Sequence, residues 1–370
     1  MTVSRPAAVV ILAAGAGTRM KSQLPKVLHP ICGASMLDHA LAAARELDPA
    51  ELIVVVGHGR RQVAGHLAEH APDAQVVVQH RQGGTGHAVR VVAETSGLGE
   101  GTVVVTYGDT PLLRGSTLAA LVREHAAQRA AATALTTVLA DPTGYGRILR
   151  DDGGAFAEIV EEADASAEQR TVTEINSGVY AFESSLLTDS VKRLPTDNAK
   201  GEEYLTDVVA ILRAEGHRVA TVTTPDSDEV CGVNDRVQLA RARRMLNARI
   251  LERWMRAGVT FVDPRTTFVD ASVVLAPDVE IGPGTQLEGG TVVETGARVG
   301  PGCLLRDTLV GAGATVSHAV GMSARIGPGA AVEPFTYLPP GTELPGNGPG
   351  RKWSDAGAPT GVPAGKWAQP

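Results

Sequence analysis

The chain has 370 residues, more than one ordinary hydrophobic core takes up, so two or three domains are expected. Its 43% hydrophobic and 20% charged residues describe a globular chain rather than a disordered one. A formal net charge of −7 argues against nucleic acid or an anionic membrane surface as the main partner, so any phosphate must be met in a local cationic pocket.

Cys32, Cys231 and Cys303 are scattered, with neither CxxC nor metal-ligand spacing, as expected of a reduced compartment. The longest apolar run, Ala7 to Ala14, is far short of the ~20 residues a membrane helix needs. The first residues lack the apolar region and cleavage site of a signal peptide, and a cytoplasmic location is expected.

In chain order, residues 7–12 (AAVVIL) are a continuous apolar run ending at a glycine-rich turn, the pattern of a strand buried on both faces of a parallel sheet. Similar runs follow at 52–56, 75–78 and 102–106, separated by helix-compatible stretches such as 36–47 and 86–94. Strands alternating with helices predict an α/β domain with a mostly parallel sheet, extended at its edge by strands at 132–139, 146–149 and 177–182. Residues 235–256 predict one long helix, with Val237, Ala240, Arg244, Ile250, Leu251, Trp254 and Met255 forming a loose stripe. Its arginines at 241, 243, 244, 249, 253 and 256 are expected to be a solvated face rather than an RNA-binding one.

After Pro264 the apolar period becomes six: Val269, Leu275, Ile281, Leu287, Val293, Val299 and Leu305. The phase slips near 305–310, reappears at Val310 and Val316, and returns at Ile326, Val332, Leu338 and Leu344. A six-residue aliphatic repeat predicts a short left-handed parallel β-helix of roughly four coils, each hexad forming one side of a triangle. Beyond Leu344 no period remains, and residues 346–370 are expected to be a flexible tail.

The chemistry concentrates in Leu12-Ala-Ala-Gly-Ala-Gly-Thr-Arg-Met-Lys-Ser-Gln-Leu-Pro-Lys26. Gly15 and Gly17 let backbone N–H groups approach a phosphate chain at the carboxyl end of the first strand, and Arg19 and Lys26 add two positive charges. Met20 and Pro25 do not suit a dinucleotide-binding turn, and the GxxxxGK[ST] phosphate loop is missing. The pattern fits a loop that wraps a nucleoside triphosphate. Asp109, closing the fourth strand in Tyr107-Gly108-Asp109-Thr110-Pro111, is placed to hold Mg²⁺ against phosphate oxygens. A second ligand is sought in Asn234, with Asp235 as its rival.

LAAGAGTRMKSQLPKVLHPICG, QGGTGHAV, YGDTPLL, DPTGYGRILR, EINSGVYAF, NAKGEEYLTDVV and GVNDRVQL, followed by hexapeptide repeats, occur in the order of one family. Over residues 7 to 344 the chain resembles the bacterial bifunctional N-acetylglucosamine-1-phosphate uridyltransferase / glucosamine-1-phosphate acetyltransferases. The resemblance implies a nucleotidyltransferase domain over 1–234, a linker helix over 235–258 and a truncated left-handed β-helix over 262–345. It implies that Leu12, Ala13, Ala14 and Gly15 line the nucleotide, with Arg19 and Lys26 on the phosphates. Gln79, Gly84 and Thr85 resemble the uracil-reading set, the Gln79 amide and Thr85 meeting the donor and acceptor edge of the base. Tyr107, Gly108 and Asp109 match the ribose and metal segment, and Asn234 the second Mg²⁺ ligand. Gly146, Glu161 and Asn176 resemble the sugar-recognition residues. His29, His58, His80 and His87 are expected to be structural or superficial.

The implied reaction is Mg²⁺-dependent transfer of UMP from UTP to N-acetylglucosamine-1-phosphate, releasing pyrophosphate, and the implied assembly is a homotrimer through the β-helix. The sequence departs from the family at Pro339, where an arginine is expected, and at Gly83, where leucine is usual. It also lacks the segments that carry the family's catalytic histidine and CoA site, so acetyltransferase activity is expected to be absent. Three alternatives stay open: the bifunctional enzyme, a nucleotidyltransferase of altered sugar or base choice in a specialised pathway, and a non-catalytic UDP-sugar scaffold.

Overall fold

The computed structural model describes residues 5–346, and the expected tail over 346–370 lies outside them but for its first residue. The chain divides into two compact units, Met1–His29 with Ser35–Leu239, and Pro30–Ala34 with Ala240–Pro370. That division falls inside the long helix rather than ahead of it.

The strands begin with β1 (Ala8–Ala13), β2 (Pro30–Ile31), β3 (Ala34–Ser35), β4 (Glu51–Val56), β5 (Gln75–Val78) and β6 (Thr102–Tyr107), all in the first unit except β2, which belongs to the second, and β3, which straddles the division. They are followed by β7 (Ala132–Val138), β8 (Gly146–Arg150), β9 (Phe156–Val160), β10 (Glu174–Glu183) and β11 (Val219–Thr223). Strands β2 and β3 form a separate two-stranded ladder; the main sheet runs β11-β7-β10-β6-β1-β4-β5, with β8 and β9 paired off β10. β1 is parallel to both β4 and β6, whereas β10 is antiparallel to its neighbours β6 and β7. Val9, Ile11 and Ala13 enter one core and Ala8, Val10 and Leu12 the other. Burial on both faces explains why the sequence of this strand shows no polar alternation.

Helices α1 (Met36–Arg45), α2 (Arg60–His70), α3 (Thr85–Thr95), α4 (Gly115–Gln128), α5 (Ser184–Val191) and α6 (Thr206–Ala214) belong to this unit. The Ser35 hydroxyl accepts from Asp38 N while Asp38 accepts from Ser35 N, a reciprocal cap that starts α1. Helix α2 buries only Val63 and Leu67, which is why its sequence, RRQVAGHLAEH, carries so weak a periodic signal.

Helix α7 spans Arg236–Arg256. Its buried positions are Leu239, Ala242, Leu246, Asn247, Ile250 and Leu251, whereas Val237 is 74% and Met255 41% exposed. Ala240 and Arg244 are exposed as well, which corrects the stripe expected from sequence. Asn247 holds the true stripe in place: its amide donates to Thr267 O, and its carbonyl accepts from Val269 N. A polar residue inside an apolar stripe hides that stripe from a hydrophobicity pattern. Among the described residues no helix is long and apolar enough to cross a membrane.

The second unit holds three five-stranded parallel sheets, the faces of a left-handed β-helix. Val269, Leu287 and Leu305 share one ladder and point inward, eighteen residues apart. Five strands per face exceed the four coils expected: Thr260 and Phe261 open one ladder ahead of the first recognised hexad, and the strand around Gly321 fills a place in another that the aliphatic pattern skips. The phase slips because the side from Leu305 to Val310 takes five residues rather than six, so that Val293 pairs with Val310, and the gap in the aliphatics that follows has its own cause. The inward place after Leu305 belongs to Gly321, paired with Leu305 and Leu338, and a Cβ there would meet Leu305 Cδ2 at 3.0 Å. Leu305 fills the space that an aliphatic at 321 would take.

Candidate active site

The loop that leaves β1 divides its two glycines between different tasks. Gly15 is exposed with nothing within 4 Å of where a Cβ would lie, leaving its backbone open to a ligand. Gly17 has φ +59, and a Cβ there would sit 2.6 Å from Lys26 Cβ. It serves the placement of Lys26 rather than the approach of a phosphate. Leu12, Ala13 and Ala14 are buried beneath the loop, the Leu12 carbonyl accepting from Gly108 N at 3.0 Å. Arg19, in the short turn Thr18–Met20, is exposed and holds no ion pair among the described residues, so its charge faces outward unspent.

Lys26 behaves differently from Arg19. Its ammonium forms a close ion pair with Asp109 and donates to Asn234 Oδ1 at 3.1 Å. Asp109 reaches this point at the end of β6, where Gly108 packs against Leu37, Val27 and Ala13. The Asp109 carbonyl accepts from Val233 N, which draws in the segment carrying Asn234. Asp235, the rival ligand, accepts from Gln238 N as the cap of α7. The structure thus gathers Lys26, Asp109 and Asn234.

Whether these residues suit a divalent cation follows from their donors. One carboxylate and one amide oxygen converge on a single cationic centre, which the lysine supplies. Magnesium commonly takes only one or two protein oxygens and completes its shell with water and phosphate. The set fits. Among the described residues no cluster of three or more His, Cys, Asp or Glu could hold a metal unaided.

Gly146, Glu161 and Asn176 also meet. β8 pairs Gly146 with Asn176 of β10, and a Cβ on Gly146 would lie 3.5 Å from Glu161 Oε2 and 3.6 Å from Asn176 Cβ. Asn176 Oδ1 accepts from Gly178 N, at a bulge of β10 where Gly178 has φ +81 and packs against Tyr107. Glu161 accepts from the Thr206 hydroxyl at 3.2 Å. Burial pushes the Glu161 carboxyl up, and burial with Glu161 and Asp164 nearby pushes Asp207 up to about 6. Burial, with smaller effects of Glu161 and Asp109, likewise raises the Tyr107 phenol. Thr206 and Asp207 lie in NAKGEEYLTDVV, a motif that pointed to the family without yielding a residue for the site.

The residues expected to read a base lie together, with part of their hydrogen-bonding capacity already engaged within the protein. Gln79 is buried, and its Nε2 donates to Gly84 O at 3.0 Å and pairs with His87 Nδ1 at 2.9 Å. Its amino group is therefore spent within the protein. The Thr85 hydroxyl accepts from Leu205 N. Gly84, with φ +105, packs against Glu203 O, and Gly83 N and O bond to Arg81 O and Glu203 N. Gln82, which sequence reasoning passed over, donates to Ala14 O and fastens this segment to the glycine loop. Next to it lies a cleft of about 580 Å³ lined by Gly57, His58, Arg60, Arg61, Gln79 and His80 among others. His29 and His87 are buried with their imidazole pKa lowered chiefly by burial, while His58 and His80 are exposed.

A family model, the MobA-like NTP transferase domain, matches residues 9–260. The bifunctional protein GlmU of Thermobifida fusca is 58% identical over 324 residues, 86% of this chain and 67% of that protein. Those of Streptomyces avermitilis and Streptomyces coelicolor are 56% and 54% identical over 322 residues, again 86% of this chain and 67% of theirs. Nucleotidyltransferases of this type act on a nucleoside triphosphate and a sugar phosphate with the help of a divalent metal. With a family model over residues 9–260 and relatives 54–58% identical over 86% of its length, this chain belongs to the GlmU family of nucleotidyltransferases.

Proposed function

We propose that the site transfers UMP from UTP to N-acetylglucosamine-1-phosphate, making UDP-N-acetylglucosamine and pyrophosphate for cell-wall precursor synthesis, in the cytoplasm and with Mg²⁺. The observation that carries this reading is the convergence of Asp109 Oδ2 and Asn234 Oδ1 on one cation beside an open glycine loop.

A sugar phosphate is largely a dianion at pH 7, its second pKa being about 6, so it needs no general base. The obstacle is repulsion: two like unit charges at 4 Å oppose one another by roughly 4 kcal/mol at an effective dielectric near 20. Arg19 offers its guanidinium to the phosphates from the loop's outer side. Lys26, held by Gly17 below and by two oxygens in front, offers a second charge at fixed position. Bound to Asp109 and Asn234, Mg²⁺ would supply the remaining neutralisation. Gly15 and its neighbours hold the triphosphate in line, so catalysis consists of positioning and electrostatics. Gly146, Glu161 and Asn176 present a backbone N–H, a carboxylate and an amide to the hydroxyls and N-acetyl group of the sugar.

The homotrimer is part of the same proposal. Outward residues on one face of the β-helix form the column Phe268, Gln286, Leu304, Val320 and Tyr337, with Phe268 43% and Tyr337 60% exposed. A second face carries Thr260, Glu280, Arg298 and Thr315 in the equivalent column. The apolar column suits packing against other copies of the chain, and light scattering of Tyr337→Glu tests it.

Pyrophosphate release from UTP, CTP, GTP and ATP with a panel of sugar-1-phosphates, with and without Mg²⁺, tests the activity. Turnover confined to UTP, N-acetylglucosamine-1-phosphate and metal is expected. Tight UDP-sugar binding without turnover, or an Asp109→Ala enzyme of near-normal rate, overturns the reading. Acetyl transfer stands outside this proposal, and an acetyl-CoA assay with glucosamine-1-phosphate measures it directly.

A further inference from the structure

Gln79 is an amide whose orientation the fold decides. An unconstrained glutamine side chain shows a base either its N–H donors or its carbonyl, and can exchange them by turning over. Here both Nε2 hydrogens have acceptors, Gly84 O at 3.0 Å and His87 Nδ1 at 2.9 Å. A carbonyl accepts and never donates, so turning the amide over would set Oε1 against Gly84 O. That leaves Oε1 as the polar atom of Gln79 with no protein partner among the described residues, and Gln79 lines the open cleft. Thr85 completes the pattern: its oxygen already accepts from Leu205 N, so its O–H remains to donate.

His87 can accept at Nδ1 only as the neutral tautomer carrying its hydrogen on Nε2. Its burial favours that neutral form, depressing the imidazole pKa. Gly83 makes room for the ring, since a Cβ at position 83 would meet His87 Cγ at 2.9 Å. The departure at Gly83 noted in the sequence thus lies directly against the histidine.

We infer that His87 is a positioning residue for base selection: together with Gly84 O it takes the hydrogens of the Gln79 amide and so holds the glutamine carbonyl toward the base, making the site an acceptor for an imide N–H. Uracil presents such an N–H beside a carbonyl, matching the free Gln79 carbonyl and the free Thr85 hydroxyl. Cytosine presents a bare ring nitrogen beside an amino group, which opposes both. Buried groups left unpaired are what reject a wrong substrate most strongly. The inference rests on the uridyltransferase reading and adds how that reading is enforced.

The test compares kcat/KM for UTP and CTP in the wild type, His87→Leu and His87→Asn. Leucine fills the volume without an acceptor, so only Gly84 O still opposes turning the amide over, and the UTP-to-CTP ratio is expected to fall about tenfold, the worth of one hydrogen bond. Asparagine restores an acceptor near the Nδ1 position and should keep the ratio within about threefold of wild type. A purely structural role for His87 would lower both substrates together and leave the ratio unchanged in the leucine variant, which overturns the inference. If instead the wild type itself shows no preference for UTP, the uridyltransferase reading is the one that fails. Should the leucine variant not fold, loss of the ratio in His87→Asn decides against the inference and its retention, with Gln79→Leu losing it, supports it.

Discussion

Gly17 and Lys26 lie so close that a Cβ on the glycine would stand 2.6 Å from the lysine Cβ. Position 17 therefore acts through the cation nine residues later. Gly17→Ala combines a left-handed backbone, unfavourable for an L-residue by about 1–2 kcal/mol, with displacement of the Lys26 stem. A fall in kcat/KM of roughly 100-fold is expected. In a Lys26→Met background the same change should cost much less, because the residue it displaces has already lost its charge. Steady-state kinetics of the four proteins in the cycle checks this, and strictly additive effects would refute it.

Asn234 and Asp235 are neighbours with separate roles. Asn234→Ala removes one of the two oxygens that meet Lys26 and should lower kcat about 100-fold while leaving the melting temperature near wild type. Asp235→Ala removes the acceptor for Gln238 N at the start of α7, costing about 1 kcal/mol of stability with activity retained. Kinetics and thermal melts of the pair together distinguish a ligand from a cap. The opposite distribution of effects would reverse the assignment.

Asp207 gives a pH signature. Its carboxyl is raised from 3.8 to about 6 by burial, Glu161 and Asp164, so between those values the folded chain binds the proton more tightly than the unfolded one. The stability it contributes is present at low pH and lost as pH rises through 6. Asp207→Asn should therefore raise the melting temperature at pH 8 by about 2–4 °C, a figure kept small because the group is only half-buried. At pH 4 the difference should vanish. An equal gain at both pH values would show that charge is not the cause.

The thiols should react unequally. Burial, then the charge of Asp270, pushes Cys32 up to about 12, and burial also raises Cys303, whereas Cys231 is partly exposed. A thiol reagent at pH 8 is expected to label one position quickly in the folded protein and three after denaturation. Cys231→Ser should abolish the fast phase. Rapid labelling that survives this substitution would contradict the burial of the other two.

Local sequence determined a good deal of this protein. Uninterrupted aliphatics at 8–13, 52–56 and 103–105 read as strands covered on both faces, and a period of six from Val269 to Leu305 admits little besides a β-helix. Both signals depend on contacts repeated at a fixed short spacing, which is the kind of information a pattern carries. The loop from Gly15 to Lys26 was likewise legible, since glycines and cations lie within one turn of each other.

Tertiary structure alone decided which way side chains face and what they already hold. Lys26 and Arg19 read alike as phosphate cations, yet Lys26 is bound by Asp109 and Asn234, 83 and 208 residues away. The Gln79 amide became an acceptor only when His87 and Gly84 O took its hydrogens. Gly321 stands in an inward place where the repeat calls for an aliphatic because Leu305, one coil earlier, occupies its space. In each case the deciding partner is distant in the chain, and hydrogen-bond direction and close packing exist only once that partner is in place.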